Sequence, residues 1–519
     1  MSASATHTPR HPALITISVV LASLLYSMDW TIAAVALPHM QGTFSATQDQ
    51  IAWVITSYIV ASAIMIPTAG WLSARFGRKR VFVLAVFGFT AASVMCGAAH
   101  SLTVEVLARI LQGMSGAFLI PLSHAIILDT YPPEEHGKAM ALWGTGSVFG
   151  AVIGPTVGGY VTEYLSWPFI FYINVPFGLL ALVGALAFVP ETEINPRRRL
   201  DWFGFLTLAL GIGALQMMLD RGQRLDWFES GEIIIEACVC ALGLYLFVVH
   251  TLTARDPFLD PRLIAERNFF LSLVLIAFYG FLTVPVMVLM PAFLEHLRGY
   301  SIDMVGLLQS PRGLGILAAL FISGRITGKV DPRALIGTGL ALLAWSSWEM
   351  SCWTSEVGEW PIVWTGLIQG FGAGVMLVPI QVIAFPLLAP HKRTEATAVF
   401  NLIRSVCSSV GVSITLTLFV RASATSRAQM VEHVTPYSEA LRIEANGGFS
   451  MSSQFGLAVI EREIDLQAAM MGYTADFLFL AVAALLALPL LLFVGRTPRV
   501  PRTPDREAER TADTVLIGE

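Results

Sequence analysis

The stretch LARILQGMSGAFLIP, residues 107–121, returns in altered form as TGLIQGFGAGVMLVP at 365–379. A looser echo links GWLSARFGRKR (70–80) to GRITGKVDPRA (324–334). Both pairs are offset by about 255 residues, and the same offset carries the first apolar block of the chain onto the ninth. Apolar helices often resemble one another, so a single echo means little; a shared offset means more. It predicts two six-span halves related as parallel repeats, with two further spans inserted between them. Repeats around a site at the bilayer midplane are a transporter architecture.

Composition agrees. The chain has 519 residues, of which 55% are hydrophobic and only 13% charged, with a mean hydropathy of +0.67. A soluble protein of this length divides into domains with charged surfaces. Here the apolar residues fall in blocks of about 20, enough to cross a hydrocarbon core of ~30 Å. The expected fold is an all-α polytopic membrane protein with fourteen spans. Its expected layout is a tail (1–13), a six-helix bundle (14–200), two linker spans (201–253) and a second six-helix bundle (254–495). An outer segment (421–474) interrupts the second bundle, and a further tail (496–519) closes the chain. The first apolar run is too long for a signal-peptide core and is expected to remain as a span.

Basic residues set the orientation. Arg75, Arg78, Lys79 and Arg80 follow the second span, Arg197 to Arg199 the sixth, and Arg255, Arg262 and Arg267 the eighth. Arg325, Lys329 and Arg333 follow the tenth, Lys392 and Arg393 the twelfth, and Arg496, Arg499, Arg502, Arg506 and Arg510 lie in the tail. The short loops on the other face hold only Arg221, Arg224 and Arg298. The positive-inside rule puts both termini in the cytoplasm. The five cysteines lie in or beside apolar blocks and form neither a disulfide framework nor a metal set. Within the outer segment, FGLAVIEREIDLQAAMMGY (455–473) has a helical rhythm; a solvated cap and a docking surface both fit it.

Two charges stand out within spans. SLLYSMDWTIAAVALP (23–38) carries Asp29, at a cost of roughly 3 kcal/mol for a bare carboxylate in hydrocarbon. Arg109 lies within the fourth span, with Gln112 one turn on along the same face. Counted from the outer span ends, Asp29 and Arg109 lie roughly 13 and 10 Å deep, so they fit one layer. In the repeat, Asp29 falls opposite Pro285 and Arg109 opposite Gly366. Packing needs common to both halves do not explain charges present in only one. The second half supplies Arg312, Asn401 and Arg404 as its polar residues. His124 and Asp129, near the inner end of the fourth span, are candidate relay groups.

MDWTIAAVALP, GWLSARFGRKR, LARILQGMSGA and GSVFGAVIGPTVGG, in that order, resemble the signature motifs of the major facilitator superfamily. The chain is most similar to its fourteen-span drug:proton antiporters of EmrB/QacA type. WPFIFYINVPFG (167–178), DRGQRLDWF (220–228) and the late outer segment extend the likeness, which leans towards EmrB. The resemblance implies a proton-coupling role for Asp29 and Arg109, and a substrate cavity including Tyr58, Gln112, Asn401, Arg404 and Arg312. It makes GSVFGAVIGPTVGG the motif that marks antiporters, and so implies export. Gly150, Gly154, Gly158 and Gly159 give that helix a bare stripe for close packing, and Pro155 invites a kink. Gly70 and Gly77 shape the second motif's turn beside Arg78. The family has an acidic residue where this chain has Ala74, which removes from that position the carboxylate a latch between halves would use. Ala34 likewise replaces the family's asparagine.

SGRITGKV (323–330) has three residues between glycines where a phosphate loop has four, and Val330 where a hydroxyl must reach magnesium. No HExxH or GxSxG is present. The expectation is a secondary transporter, not an enzyme, with no cofactor and a proton gradient as driving force. Its expected substrates are amphipathic or lipophilic drugs or toxicants, exported across a bacterial inner membrane. A periplasmic adaptor and an outer-membrane channel are the expected partners in a two-membrane host. The alternatives are a dedicated exporter of one siderophore, fatty acid or antibiotic, and a membrane receptor or scaffold.

Overall fold

The computed structural model describes residues 11–132, 135–192, 194–196, 198–327, 329–385, 390–434 and 454–493. Arg197, the tail arginines from Arg496 onward and residues 435–453 of the outer segment lie outside these. The first half contains α1 (Pro12–Phe44), α2 (Gln48–Met65) with α3 (Ala69–Phe76), and α4 (Arg78–Gly97). It continues through α5 (Leu102–Gly116) with α6 (Leu119–Thr130), α7 (His136–Tyr164), and α8 (Phe169–Tyr172) leading into α9 (Asn174–Phe188). Next come α10 (Trp202–Arg221) and α11 (Gly231–Thr253). The second half holds α12 (Pro261–Ala265), α13 (Arg267–Ala292), α14 (Ile302–Ile326) and α15 (Pro332–Ser351). It closes with α16 (Glu359–Ala384), α17 (Pro390–His433) and α18 (Gln454–Ala487).

Local chemistry accounts for several boundaries. Thr47 and Gln50 form a reciprocal capping box that starts α2. Pro67 sits in a 3-10 turn, Ile66–Thr68, that separates α2 from α3 inside the second span. Gly77, at φ +91°, takes a backbone conformation that L side chains rarely adopt, and so ends α3 and starts α4. The fourth span, read as one helix, breaks at Ala117 and Phe118 into α5 and α6.

Among the described residues, thirteen helices are long and apolar enough to cross a membrane. The one expected span outside these thirteen is the eleventh, α15, which is 20 residues long but is diluted by Ser346, Ser347 and Glu349. It packs against α16 and α18 and takes its place in the bundle. The repeat is visible in the packing. The first span pairs with the fifth as the ninth does with the thirteenth (α1 with α7, α13 with α17). The second pairs with the fourth as the tenth with the twelfth, and the third with the sixth as the eleventh with the fourteenth. The inserted α10 and α11 pair with each other, and α10 also leans on α2. The rhythm of residues 455–473 belongs to α18 itself, so no separate element stands there. At 44 and 34 residues, α17 and α18 reach about 66 and 51 Å, beyond a bilayer core. Their projecting ends are tied by Arg427 to Asp465 (2.6 Å) and Glu461 (3.2 Å).

Two seams join the halves. One runs along α7 and α14: Gly137 faces Thr327, Gly144 faces Leu320, Gly313 faces Val152, and Gly306 faces Thr156. The other brings α17 against α3 and α6, at the end of the molecule that carries the basic turns. The opposite face of α7 lies on α1. A Cβ built on Gly150 would stand 2.6 Å from Leu24 O, one on Gly154 2.0 Å from Thr31 Oγ1, and one on Gly158 2.6 Å from Ile32 Cγ1. Gly146 continues this row, 2.2 Å from Val20 Cγ1. Gly159 does not belong to it: nothing lies within 4 Å, because it is one residue off the four-residue period of the contact face. The helix runs unbroken through Pro155.

Gly154→Val should therefore part α1 from α7 and destabilise the protein by about 1–3 kcal/mol. Gly159→Ala should leave it unchanged or slightly firmer. Thermal melts of the purified protein in detergent compare the two directly.

Candidate functional site

The site is assembled from five spans of the first half. The apolar character of each span around one polar residue forces these polar groups to find one another, since lipid offers no partner. Asp29 on α1 and Arg109 on α5 are fully buried and joined at 2.7 Å, from Nη1 to Oδ2. The second carboxylate oxygen, Oδ1, accepts from Gln112 Nε2 and from Asn174 Nδ2 on α9, each at 2.8 Å. Gln112 and Asn174 both donate as well to Ser93 Oγ on α4, at 2.8 and 3.3 Å. Gln112 Oε1 accepts from Arg109 Nη1 at 2.5 Å.

The guanidinium has its own cradle. Its Nε donates to Val54 O of α2 at 3.0 Å. The ring of Tyr58 lies 4.3 Å from Cζ and that of Phe171 lies 5.6 Å away, within cation–π range. Nη2 has no partner among the described residues. Close packing makes the geometry reproducible: Gly113, one residue past Gln112, leaves room for the carbonyl of Tyr58, which a Cβ there would meet at 2.4 Å. The acid accepts only and receives charge-assisted bonds from three donors, the arrangement expected of a buried carboxylate.

The second half's candidates lie elsewhere. Asn401 Nδ2 donates to Thr397 O at 2.8 Å and meets His124 Nδ1 of α6 at 3.4 Å. Gln381 on α16 meets the other ring nitrogen of His124 at 3.3 Å. Arg404 Nη2 reaches Asn401 Oδ1 at 3.5 Å, and Arg312 Nη2 donates to Thr283 O at 2.6 Å. Asn401, with Arg404 beside it, faces the junction of the halves, Arg312 bonds within its own half, and none of them takes part in the Asp29 cluster.

The basic end holds a carboxylate-centred contact between halves, supplied from positions other than Ala74. Asp129 of α6 accepts from Arg78 of the same half and, at 2.7 Å, from Arg393 of the other. Arg78 Nε also donates to Thr394 Oγ1 at 3.1 Å. Glu395 of α17 pairs with Arg198 at 3.0 Å and packs on Gly70, where a Cβ would stand 2.9 Å from its Cα.

Sequence reasoning missed Ser93, Asn174 and Glu105. The first two are neutral polar residues in apolar helices, a commonplace; only the quoted WPFIFYINVPFG marked the neighbourhood of Asn174. Glu105 stands in the first turn of α5 and reads as an interfacial residue, yet it is fully buried.

This chain belongs to the Major Facilitator Superfamily, whose pattern it matches over residues 19–412; it is an integral membrane transporter. It is 33% identical over 493 residues to the multidrug export protein EmrB of Haemophilus influenzae, covering 93% of this chain and 96% of that protein. It is 32% identical over 484 residues to the fatty acid resistance protein FarB of Neisseria gonorrhoeae, covering 92% and 95%. Among solved structures, the human organic anion transporter MFSD10 superposes with a TM-score of 0.62 at 15% identity, over 92% of this chain and 99% of that one. That last likeness bears on the fold alone.

Arg109→Ala should destabilise the protein by about 3–5 kcal/mol, because it strands a buried carboxylate. Asn174→Ala, which removes one of two donors to Oδ1, should cost about 1–3 kcal/mol. Melting temperatures of the purified variants test the order.

Proposed function

We propose that this chain is a proton-coupled antiporter that exports amphipathic or lipophilic toxic compounds across a bacterial inner membrane by alternating access. The observation that carries the reading is the Asp29–Arg109 pair, wholly out of water and confined to one half of a two-half bundle. The names of the relatives, a multidrug export protein and a fatty acid resistance protein, support export. Charge bias supports placing the basic end, and with it both termini, in the cytoplasm.

The coupling follows from electrostatics. Proton binding at Asp29 cancels the charge that balances Arg109. A lone guanidinium in a dry interior costs several kcal/mol, so the protonated centre favours a packing in which Arg109 meets water or another anion. The halves rock along the α7–α14 seam, and the contacts of Asp129 and Glu395 break to open the cytoplasmic side. There Asp29 releases its proton, the pair reforms, and cargo enters. On the outer side the sequence reverses: a proton arrives and cargo leaves. In a host with two membranes, the projecting ends of α17 and α18 face a periplasmic adaptor that leads to an outer-membrane channel.

Asp29→Asn should abolish efflux of ethidium driven by an imposed pH gradient in proteoliposomes, with protein levels maintained. Undiminished coupled efflux in that variant would overturn the assignment.

One observation favours a second reading, a dedicated exporter of a single anionic compound such as a fatty acid. Among the described residues, neither Arg312 nor Arg404 forms an ion pair, and Arg312 Nε has no partner. Two unbalanced guanidiniums in the second half, one of them beside Asn401 at the junction, suit a carboxylate-bearing amphipath. Under this reading Arg404→Gln lowers laurate efflux about tenfold, the weight of one hydrogen bond to a charged group. Ethidium efflux in the same variant is unaffected, and equal effects on both compounds count against it.

A further inference from the structure

Glu105 lies one helical turn outward of Arg109 on α5 and three residues from the helix start. Residues four apart share a helix face, and here that face, with Ala108, Arg109 and Gln112, points inward and is fully buried. Among the described residues neither oxygen of Glu105 has a hydrogen bond of good geometry, the weakly donating thiol of Cys96 being the group that lies beside it. On the same face, Arg109 Nη2 is a donor without an acceptor. An acceptor and a charged donor thus stand about 6 Å apart along one helix, each unsatisfied, in a region where unsatisfied polar groups are costly.

The titratable groups facing this pair are few. They are Asp29 from α1, Tyr58 from α2 and Cys96 from α4, whose thiol donates to Gln112 Oε1 at 3.6 Å; α9 contributes only the neutral Asn174. The enclosure therefore holds one permanent cation and two carboxyls. One guanidinium balances one carboxylate, and the three donors around Asp29 show which acid takes that role in this state.

We propose that Glu105 is a second proton-carrying carboxyl of the coupling centre and the alternative partner of Arg109. In the arrangement seen here Glu105 holds a proton and Asp29 is ionised. When the proton passes from the Glu105 carboxyl to the Asp29 carboxylate, the O–H bond of Glu105 breaks and one forms on Asp29. The negative charge moves outward by one helical turn, and Arg109 follows it through Nη2. Net charge is unchanged at that step, so no uncompensated ion crosses the dry interior. A proton from the outer side then restores Glu105, and Asp29 delivers its own to the inner side. This rests on the antiport reading above and adds to it an intermediate station between the outer face and Asp29.

Difference infrared spectroscopy of the purified full chain in lipid, titrated with pH, reads the protonated-carboxyl C=O stretch without any substrate. The wild type should show a band that vanishes in Glu105→Gln and shifts in Glu105→Asp. It should vanish in Asp29→Asn as well, because Arg109 then pairs with an ionised Glu105; a merely structural Glu105 gives no such response. An unchanged band in Glu105→Gln, or one that persists in Asp29→Asn, would overturn the proposal. In proteoliposomes, Glu105→Gln should slow proton-driven ethidium efflux about a hundredfold, with Glu105→Asp recovering part of it. If the wild type moves no protons while the infrared result holds, the antiport reading fails and the carboxyl exchange stands; full efflux in Glu105→Gln counts against Glu105 alone.

Discussion

A carboxylate and a guanidinium sealed from water must hold each other, and most of the first half is arranged so that they do. Asp29 comes from α1, Arg109 and Gln112 from α5, Ser93 from α4, Asn174 from α9, and the carbonyl of Val54 from α2. Five spans are thereby fixed in register by one cluster. The row of small residues on α7 completes the frame, since Gly154 lets that helix close on Met28 and Thr31, either side of the acid. A buried ion pair is a poor source of stability compared with an apolar filling of equal volume. Under the proposed coupling, its presence serves as a centre whose charge state sets the packing around it.

The two halves share a plan of helix pairing but not a plan of polar groups. In the first half Asp29 and Arg109 are drawn into the bundle and paired, with Glu105 buried beside them. In the second, Asn401 and the neighbouring Arg404 lie towards the junction, where His124 and Gln381 from opposite halves also meet, while Arg312 bonds within its own half. One half thus holds a closed electrostatic centre while the other contributes polar surface to the seam. The seams differ too: α7 and α14 touch along their length through small residues, whereas at the basic end α17 packs on α3 at Gly70 and is held by ion pairs to Asp129 of α6 and to Arg198. Small-residue contacts tolerate rocking with little change in energy, while ion pairs make or break as units. Under the proposed alternating access, the first seam serves as the hinge and the second as the latch.

Legibility followed the cost of misplacement. Asp29 and Arg109 were readable because charge in a hydrophobic span is expensive and rare, and Gln112 because it lies one turn from Arg109. Asn174 and Ser93 were not, because neutral polar residues are tolerated anywhere in such helices and only their distances give them a role. The glycine row was readable at Gly150, Gly154 and Gly158, but adjacency in sequence drew in Gly159, which faces open space, and passed over Gly146. The carboxylate between the halves was sought beside the turn, at Ala74, and sits instead on Asp129, some fifty residues later.

What the residues alone determined is the class of object. The run of apolar blocks admits only membrane-spanning helices, since a backbone in lipid must satisfy its own hydrogen bonds. The common offset of the repeats makes two halves, and a lone acid and a lone base within spans demand a meeting. What tertiary structure decided is who meets whom. Which oxygen of Asp29 takes which donor, and that Glu105 is buried although it opens a helix, depend on faces brought together from distant parts of the chain. So does the joining of the halves through Arg393 and Asp129. Helical periodicity gives the direction of a side chain about its own axis, but only the packing of neighbouring helices says what lies in that direction.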